Sequence, residues 1–278
     1  MNQTFQIIID CKGMVFIMSH FEFDGEKYKQ ASKHQKEWGN KSISELNLRG
    51  DEKILDLGCG DGVLTEQLAI LTPKGSVIGI DASVGMIETA KKLEKPNLVF
   101  ACMDINEINF ENQFDIIFSN AALHWIKGKD HQKLLKNSLN ALKTNGMIKW
   151  NFAGDGNCLN FFSTIRAVMA EEPYEEYFND FQWPWFIPTV EEYKIFIEKA
   201  GFSKINIEIE NADRYFSTDE EMIKWLDQPS LVPFIIHVPD EKKEEFRQRV
   251  IDIMIEKAKQ PDGSCFETFR RINIKAEK

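Results

Sequence analysis

The sequence has no hydrophobic run long enough to cross a membrane. A membrane-spanning helix needs roughly 20 consecutive apolar residues, and the apolar stretches of these 278 residues are all shorter. The first stretch is interrupted by Asp10 and Lys12, and it lacks the basic segment and cleavage site of a signal peptide. We therefore expect no membrane partner. We interpret residues 1–25 as an N-terminal extension, with Met1 and Met18 as alternative starting residues.

Paired cysteines and clusters of basic residues are also missing. The five cysteines are scattered and form no Cys-x-x-Cys pair, which indicates neither a disulfide framework nor a zinc site. The net charge is −10, and the sequence shows no basic cluster of the kind that nucleic-acid-binding proteins usually carry. We therefore expect a cytoplasmic protein with no metal and no nucleic-acid partner. No pattern indicates its oligomeric state.

Short apolar segments alternate with amphipathic ones through the first half of the chain. The apolar segments, which predict strands, are KILDL (53–57), SVIGID (76–81), NLVFACMD (97–104), FDIIFSN (114–120) and GMIKWNFAG (146–154). The segments between them predict helices, one opened by Ser83 and one closed by Asn145-Gly146. Such alternation is typical of a doubly wound parallel sheet with right-handed connections. Residues 25–48 predict one further helix before the sheet.

The second half of the chain has a different pattern. Residues 204–211 and 266–276 alternate apolar and polar side chains, which predicts two antiparallel strands at the end of the sheet. The intervening segments look helical, and we interpret them as a cap. The predicted sheet core comprises residues 26–157, 200–216 and 262–278, and the predicted helical cap or substrate lid comprises residues 158–199 and 217–261.

A glycine-rich loop follows the first predicted strand of the sheet. In LDLGCGDG, Gly58, Gly60 and Gly62 have the spacing G-x-G-x-G, and glycines let the backbone turn sharply and approach a ligand closely. A dinucleotide-binding loop needs a small residue at position 63, where this chain has Val63. The loop therefore fits a pyrophosphate poorly.

Acidic residues lie near the ends of three successive predicted strands. Asp56 belongs to the first, Asp81 ends the second, 21 residues after Gly60, and Asp104 ends the third. A carboxylate at the position of Asp81 can accept hydrogen bonds from ribose hydroxyls, and Asp104 can reach an adenine amino group. Three acids beside a poor phosphate site favour a nucleoside that carries a positive charge and no phosphate.

These segments resemble the class I S-adenosylmethionine-dependent methyltransferases. The resemblance rests on LDLGCGDG, GIDAS with Met86, CMDI and FDIIFSNAALHW. It implies an α/β fold with a Rossmann-like, seven-stranded, mostly parallel sheet, an antiparallel C-terminal strand and a helical cap. It also implies S-adenosyl-L-methionine as cofactor and S-adenosyl-L-homocysteine as product. The cofactor-binding residues that it implies are Asp56, Gly58, Cys59, Gly60, Asp61, Asp81, Ala82, Met86, Asp104, Ile105, Asn120 and Ala121.

The segment SNAALHW (119–125) bears on the methyl acceptor. Relatives that methylate base or amide nitrogens carry Asn/Asp-Pro-Pro-Tyr/Phe at this place, and this chain does not. The finer resemblance is to trans-aconitate and juvenile-hormone-acid carboxyl O-methyltransferases. In these, a Gln of the first helix and the Trp after the fourth strand are associated with the acceptor carboxylate. The resemblance implies Gln35 (or the nearby Gln30) and Trp125 as catalytic residues, with His124 as a second donor or a core histidine.

Aromatic residues are concentrated in the predicted cap, which indicates an apolar pocket for a small molecule or the cap's own core. Trp183 and Trp185 join Trp125 as candidate substrate-binding residues. An acceptor with several carboxylates would need cations, and the arginines available are Arg166, Arg214, Arg270 and Arg271. We expect Arg214 to bind substrate, because it follows an alternating strand and should face the cap.

We therefore predict a methyltransferase that acts on a small molecule, with the carboxylate oxygen of an organic acid as the leading acceptor. Two alternatives remain open. In one, the same fold methylates a carbon or a phenolic oxygen of a quinone-like or lipid-like substrate, with His124 as general base. In the other, the chain binds the cofactor without catalysis, since a fold alone does not establish an activity.

Overall fold

The computed structural model describes residues 7–9, 15–17 and 33–278. Most of the predicted N-terminal extension, Met18 and the start of the predicted first helix, with Gln30, lie outside the described residues. Ile7–Ile9 (β1) and Val15–Ile17 (β2) pair as short antiparallel strands. In the part of the chain that the structure describes, no helix is both long and apolar enough to span a membrane.

Seven strands form one mixed sheet, in the order β5-β4-β3-β6-β7-β11-β8. The strands of this sheet are β3 (Lys53–Leu57), β4 (Ser76–Asp81), β5 (Leu98–Cys102), β6 (Phe114–Asn120), β7 (Leu142–Ala153), β8 (Ser203–Asn211) and β11 (Arg270–Glu277). Two further strands, β9 (Arg214–Phe216) and β10 (Cys265–Glu267), pair with each other outside it. Strands β3 to β7 run parallel, and β11 is antiparallel to both of its neighbours. The predicted Rossmann-like sheet with a reversed C-terminal strand is therefore confirmed.

Helices cover both faces of this sheet and form the cap. They are α1 (Lys33–Ser44), α2 (Val63–Leu71), α3 (Val84–Ala90), α4 (His131–Ala141), α5 (Leu159–Met169), α6 (Val190–Ala200), α7 (Asp219–Trp225), α8 (Val232–Ile235) and α9 (Asp240–Ala258). Shorter 3-10 turns occupy Lys91–Leu93, Ile105–Glu107, Leu123–Trp125, Gly128–Asp130 and Glu175–Phe178, and a π-turn occupies Leu226–Ser230. Ser83 caps α3 as predicted, because its hydroxyl accepts a hydrogen bond from the Met86 N–H at 3.3 Å.

The two faces of the sheet are buried against different helices, as the alternation of side chains along a strand requires. Ile54 of β3 packs in one cluster with residues of α2 and α3. Its neighbour Leu55 packs in another with residues of α4 and α6. Because both faces are covered, the strands are continuous apolar runs, and their polar carboxyl ends are left to form a site.

The predicted strand 266–276 is in fact two strands. Residues 265–267 form β10, which pairs with β9 outside the main sheet, and only Arg270–Glu277 joins that sheet as β11. Thr268 and Phe269 separate the two strands. The Thr268 hydroxyl accepts a hydrogen bond from the Leu159 N–H at the start of α5 (3.0 Å), and the Phe269 ring is buried in the cap cluster. Packing against the cap therefore interrupts the strand.

The predicted end of the fourth helix is also wrong by several residues. Helix α4 ends at Ala141, and β7 begins at once with Leu142. Asn145 has a φ of 63°, but it lies within an irregularity of β7, where the pairing with β6 shifts between Phe114 and Ile116. The left-handed Asn therefore marks a bulge in a strand instead of a helix end.

The cap has a hydrophobic cluster of its own. Residues of α5, α7, α8 and α9 pack together in it, apart from the clusters on the sheet. Helix α6 behaves differently, because Tyr193 and Ile197 are fully buried in the sheet cluster that contains α4. The segment that we assigned to the cap, 158–199, thus includes one helix that packs on the sheet.

Candidate functional site

A cavity of about 620 Å³ lies between the carboxyl ends of the parallel strands and the cap. Gly58, Asp81 and Asn120 line it at the ends of β3, β4 and β6, and Phe161 and Trp225 line it from the cap. In open α/β sheets, ligands bind outside the carboxyl ends of the strands. The cavity therefore occupies the expected place for a ligand site.

The glycine loop forms one wall of this cavity. The Gly58 and Cys59 N–H groups both donate to the Ile80 carbonyl, at 2.8 and 2.9 Å, which fastens the loop to the end of β4. Gly60 has a φ of +55°, lines the cavity, and would place a Cβ more than 4 Å from any other atom. A Cβ on Gly58 would instead lie 2.3 Å from that of Ala122. Gly58 thus permits close packing, and Gly60 keeps the cavity open.

Asp81 holds the loop and the start of α3 together. One carboxylate oxygen accepts from the Gly60 N–H at 3.0 Å, and the other accepts from the Ser83 N–H at 2.9 Å. Asp81, Ala82 and Met86 all line the cavity. The carboxylate is therefore fixed at the cavity wall by the backbone, with its negative charge beside the space for a ligand.

The end of β5 supplies the next part of the wall. Asp104, Ile105 and Asn106 line the cavity, as do Asn120 and Ala121 beyond β6. The Asp104 carboxylate accepts a hydrogen bond from the Asn106 N–H at 2.8 Å and so caps the short turn 105–107. Local capping orients this side chain.

Three residues that the resemblance implied as cofactor ligands do not line the cavity: Asp56, Cys59 and Asp61. Asp56 is buried beneath the loop and accepts a hydrogen bond from the Thr65 hydroxyl at 2.7 Å. Asp61 forms an ion pair with Lys36 of α1, with 2.8 Å between Nζ and Oδ2. Asp56 and Asp61 therefore make their contacts on the side of the glycine loop that faces away from the cavity.

Replacing Asp56 by asparagine should stabilise the protein more at pH 8 than at pH 5. Burial raises the pKa of Asp56 to about 7; the Thr65 hydroxyl opposes this shift, and the charge of Asp81 adds to it. A raised carboxyl pKa favours the protonated form in the folded state, so stability falls as the pH rises from about 4 through 7. The amide does not ionise. The free energy of unfolding of the variant relative to the wild type should therefore increase by about 2 kcal/mol between pH 5 and 8. Denaturant titrations measure this difference, and a difference that stays constant with pH contradicts the prediction.

His124 and Trp125 both line the cavity from the turn that follows β6. A buried histidine, His131, holds this turn in place: its Nε2 lies 3.2 Å from the Ile126 carbonyl and its Nδ1 lies 2.9 Å from the Tyr193 hydroxyl. Burial lowers the pKa of His131 to about 4, so the ring is neutral. We infer that Nε2–H donates to Ile126 and that Nδ1 accepts from Tyr193.

His124 lies in a positive electrostatic environment. Burial lowers its pKa to about 3, and the positive charge of Arg271 acts in the same direction. Its Nδ1 atom is buried and has no hydrogen-bond partner among the described residues. The imidazole is therefore neutral near pH 7, and it has an unused polar atom.

Gln35 and Asn120 lie where helix α1 meets the end of β6, and both line the cavity. The Asn120 side-chain amide donates to the Gln35 backbone carbonyl at 2.9 Å. The Gln35 Oε1 and the Asn120 Oδ1 are buried without a partner within the described ranges. Buried acceptors of this kind normally find a donor, and a bound ligand can supply one.

The cavity contains features that fit S-adenosylmethionine. Gly60 leaves space that any side chain would fill, and Asp81 presents a fixed carboxylate for ribose hydroxyls. The unpartnered Asn120 oxygen can accept from an ammonium group. Ala82 and Met86 offer an apolar surface beside Asp104. These residues would hold the methionine, ribose and adenine parts of the cofactor in turn.

Of the four arginines considered, only Arg271 lines the cavity. Its Nε and Nη2 donate to the Asn151 Oδ1 at 2.9 and 2.7 Å, and its guanidinium lies 4.4 Å from the centre of the Trp38 ring. Arg214 pairs with Glu37 instead, outside the cavity lining. Arg214, which we expected to bind substrate, thus contacts α1 at Glu37 and does not line the cavity.

The other two arginines are also not among the residues that line the cavity. Arg270 pairs with Asp213, and Arg166 is exposed and lies 4.3 Å from the centre of the Trp183 ring. Trp183 and Trp185 line the cavity as expected. Sequence reasoning missed Trp38, Trp225 and Phe269, which line it from three distant parts of the chain. No local pattern connects these three positions.

Comparisons with known proteins identify methyltransferases as relatives of this chain. A family profile described as "Methyltransferase domain" matches residues 54–146. An uncharacterized methyltransferase of Schizosaccharomyces pombe is 31% identical over 242 residues, which cover 85% of this chain and 90% of that protein. The trans-aconitate 2-methyltransferase of Mycobacterium tuberculosis is 25% identical over 258 residues, covering 92% and 96% of the two chains.

A solved structure has the same fold. The phosphoethanolamine N-methyltransferase 2 of Haemonchus contortus, in complex with S-adenosyl-L-methionine, has a TM-score of 0.59 at 19% identity and covers 95% of this chain and 61% of that one. Sequence identity that extends over most of two chains implies common descent. Because the seven-stranded sheet agrees with the match to the fission-yeast protein, we conclude that this chain belongs to the methyltransferase family.

Proposed function

We propose that this protein moves a methyl group from S-adenosylmethionine to a carboxylate oxygen of a small organic acid. The bound cofactor supplies an electrophilic methyl group on a sulfonium. Gly60 and Asp81 would hold the cofactor against the ends of β3 and β4, with the methyl group directed toward the cap. The cavity walls would then keep the two reactants at near-attack distance, which contributes up to about 7–11 kcal/mol in well-oriented reactions.

The observation that carries the carboxylate proposal is the combination of Arg271 with a neutral His124 at one cavity wall. Arg271 brings a positive charge into the cavity lining, and that charge acts together with burial to lower the pKa of His124. Trp125 adds an indole in the same wall. A carboxylate is already ionised near pH 7, since its reference pKa is about 4. It needs orientation and charge compensation more than it needs a base.

The competing candidate is a phenol or carbon acid that His124 would deprotonate. An efficient general base has a pKa near the working pH, whereas that of His124 is lowered to about 3. A second titratable side chain in the lining, the Cys158 thiol, has a pKa that burial raises well above its usual range. Neither group is suited to accept a proton from such an acceptor.

The pH dependence of kcat/KM distinguishes these two functions. Because the His124 pKa is lowered to about 3, its ring stays neutral at every pH above about 4. We therefore expect that titration of His124 causes no change in kcat/KM between pH 5.5 and 8.5. The pH profiles of kcat/KM should have the same shape for the wild type and for His124→Gln. A limb near pH 6.5 that His124→Gln removes contradicts the carboxylate proposal. A limb that persists in the variant belongs to another group, such as Asp56.

Methylation with labelled cofactor across carboxylic acids, phenols and amines tests the function directly. Label transferred to carboxylic acids supports the proposal, and label transferred only to phenols or amines overturns it. Calorimetry with S-adenosylhomocysteine tests the cofactor part separately. Failure to bind S-adenosylhomocysteine would exclude both enzymatic candidates.

A further inference from the structure

We infer that the acceptor carries one carboxylate on an apolar body, and that acids with two or three carboxylates are poor substrates. This inference rests on the proposed carboxyl methylation and defines its substrate class. Two observations support it: the arrangement of aromatic rings on the cap side of the cavity, and the number of positively charged side chains that line the same cavity.

Six rings that line the cavity form a continuous series, which we call the aromatic belt. The aromatic belt consists of Trp125, Trp185, Phe161, Trp225, Phe269 and Trp38. The distances between successive ring centres are 5.5, 6.3, 5.8, 5.5 and 5.4 Å. These are ordinary contact distances for packed aromatic side chains. The belt therefore presents an almost unbroken apolar wall to a ligand.

One end of the aromatic belt lies against a charged group, and the charge of that group also acts on the histidine at the other end. At one end, the guanidinium of Arg271 lies 4.4 Å from the centre of the Trp38 ring. At the other end, Trp125 is followed by His124, with 5.7 Å between ring centres, and the charge of Arg271 acts on that histidine. An acceptor inside the belt thus meets one buried positive charge, at the Trp38 end of the belt.

Other cations in the lining lie outside the aromatic belt. Lys127 and Lys129 line the cavity but are exposed, and within the described residues Arg271 is the one buried side chain with a permanent positive charge in that lining. A single carboxylate placed at Arg271 would leave the rest of the acceptor against aromatic rings. Burying a charge without a partner is costly, so a second carboxylate in the belt would weaken binding strongly.

The charge of Arg271 also bears on cationic acceptors. Rings in this arrangement attract quaternary ammonium groups through their electron-rich faces. A guanidinium at the end of the belt repels such groups, because like charges at short distance repel each other strongly. The aromatic belt with Arg271 therefore fits an apolar anion better than an amine.

Matched pairs of acids test the inference. The pairs are octanoate with suberate and phenylacetate with 1,4-phenylenediacetate, which differ by a second, distant carboxylate; trans-aconitate represents tricarboxylates. We expect kcat/KM with labelled S-adenosylmethionine to be about 100-fold higher for the monocarboxylate of each pair, and trans-aconitate to be no better than the dicarboxylates. Equal or higher kcat/KM for suberate or trans-aconitate overturns this inference and leaves carboxyl methylation standing. Turnover of none of the acids overturns the proposed function itself.

A variant that adds a cation to the aromatic belt provides a second test. Trp185→Arg should raise the ratio of suberate to octanoate turnover by about tenfold, because it supplies a partner for the second carboxylate. Tyr215→Arg adds the same charge to an exposed aromatic residue outside the cavity lining and should leave the ratio unchanged. Affinity for S-adenosylhomocysteine confirms that each variant is folded. An unchanged ratio in a folded Trp185→Arg protein contradicts the inference.

Discussion

Replacing Gly60 by asparagine should reduce the affinity for S-adenosylhomocysteine by about 100-fold while preserving the fold. Gly60 has a φ of +55°, which asparagine tolerates better than other residues with a side chain. The space beyond its Cα is open, and that space belongs to the cavity. The new side chain would therefore occupy the volume in which the cofactor must lie. Titration calorimetry measures the loss.

Gly263 provides a matched control for this substitution. It also has a positive φ, +88°, and a Cβ there would meet nothing within 4 Å, but it does not line the cavity. Gly263→Asn should therefore have the same kind of backbone cost and leave ligand affinity unchanged. If Gly60→Asn binds S-adenosylhomocysteine as tightly as the Gly263→Asn control, the glycine loop does not contact the cofactor.

Replacing Arg271 by glutamine should lower kcat/KM for a carboxylate acceptor by about 100-fold or more, since removing one partner of a buried charge pair costs about 2–5 kcal/mol. The loss should appear mainly in KM, because the guanidinium would bind the acceptor in the ground state as well as in the transition state. Arg271→Lys should retain part of the activity, because it keeps the charge but loses the planar pair of donors. Steady-state kinetics with an acid identified in the labelled-cofactor assay measures each loss.

Arg214→Gln is the control for this result. Arg214 also lies near Trp38, at 5.7 Å, but it pairs with Glu37 outside the cavity lining. Its replacement should change kcat/KM less than about threefold, as expected for an exposed ion pair. Equal losses in the two variants, or an Arg271→Gln protein that loses S-adenosylhomocysteine affinity to the same extent, would mean that Arg271 acts through the fold instead of through the acceptor.

The sequence predicts the sheet and the cofactor end of the site because their signals are local. Each strand is a short apolar run, and Asp81 and Asp104 are placed by the strands that precede them. The family resemblance also implied Asp56 and Asp61 as cofactor ligands, but neither lines the cavity. Asp56 and Asp61 are neighbours of the loop in sequence, but strand alternation and the ion pair with Lys36 turn their side chains away from the cavity.

The acceptor end of the site could not be predicted in the same way. Arg270 and Arg271 are adjacent, so their side chains point to opposite faces of β11. Which of the two faces the cavity depends on where that strand begins. The interruption at Thr268 and Phe269 sets this register and pairs Arg271 with Ala153, which also lines the cavity. That interruption results from packing against the cap. Packing between distant parts of the chain leaves no local sequence pattern from which it could be predicted.

Strand β11 also has a consequence for how the protein is made. It is the last of the seven strands to be synthesised, yet it lies between β7 and β8. Until β11 emerges from the ribosome, β8 has no partner in the sheet and one edge of β7 is unpaired, and exposed strand edges favour aggregation. Phe269 and Arg271, which line the cavity, are synthesised together with this strand. This wall of the cavity is therefore closed only after β11 has been synthesised, and expression yield should depend on how well the chain is protected from aggregation before that point.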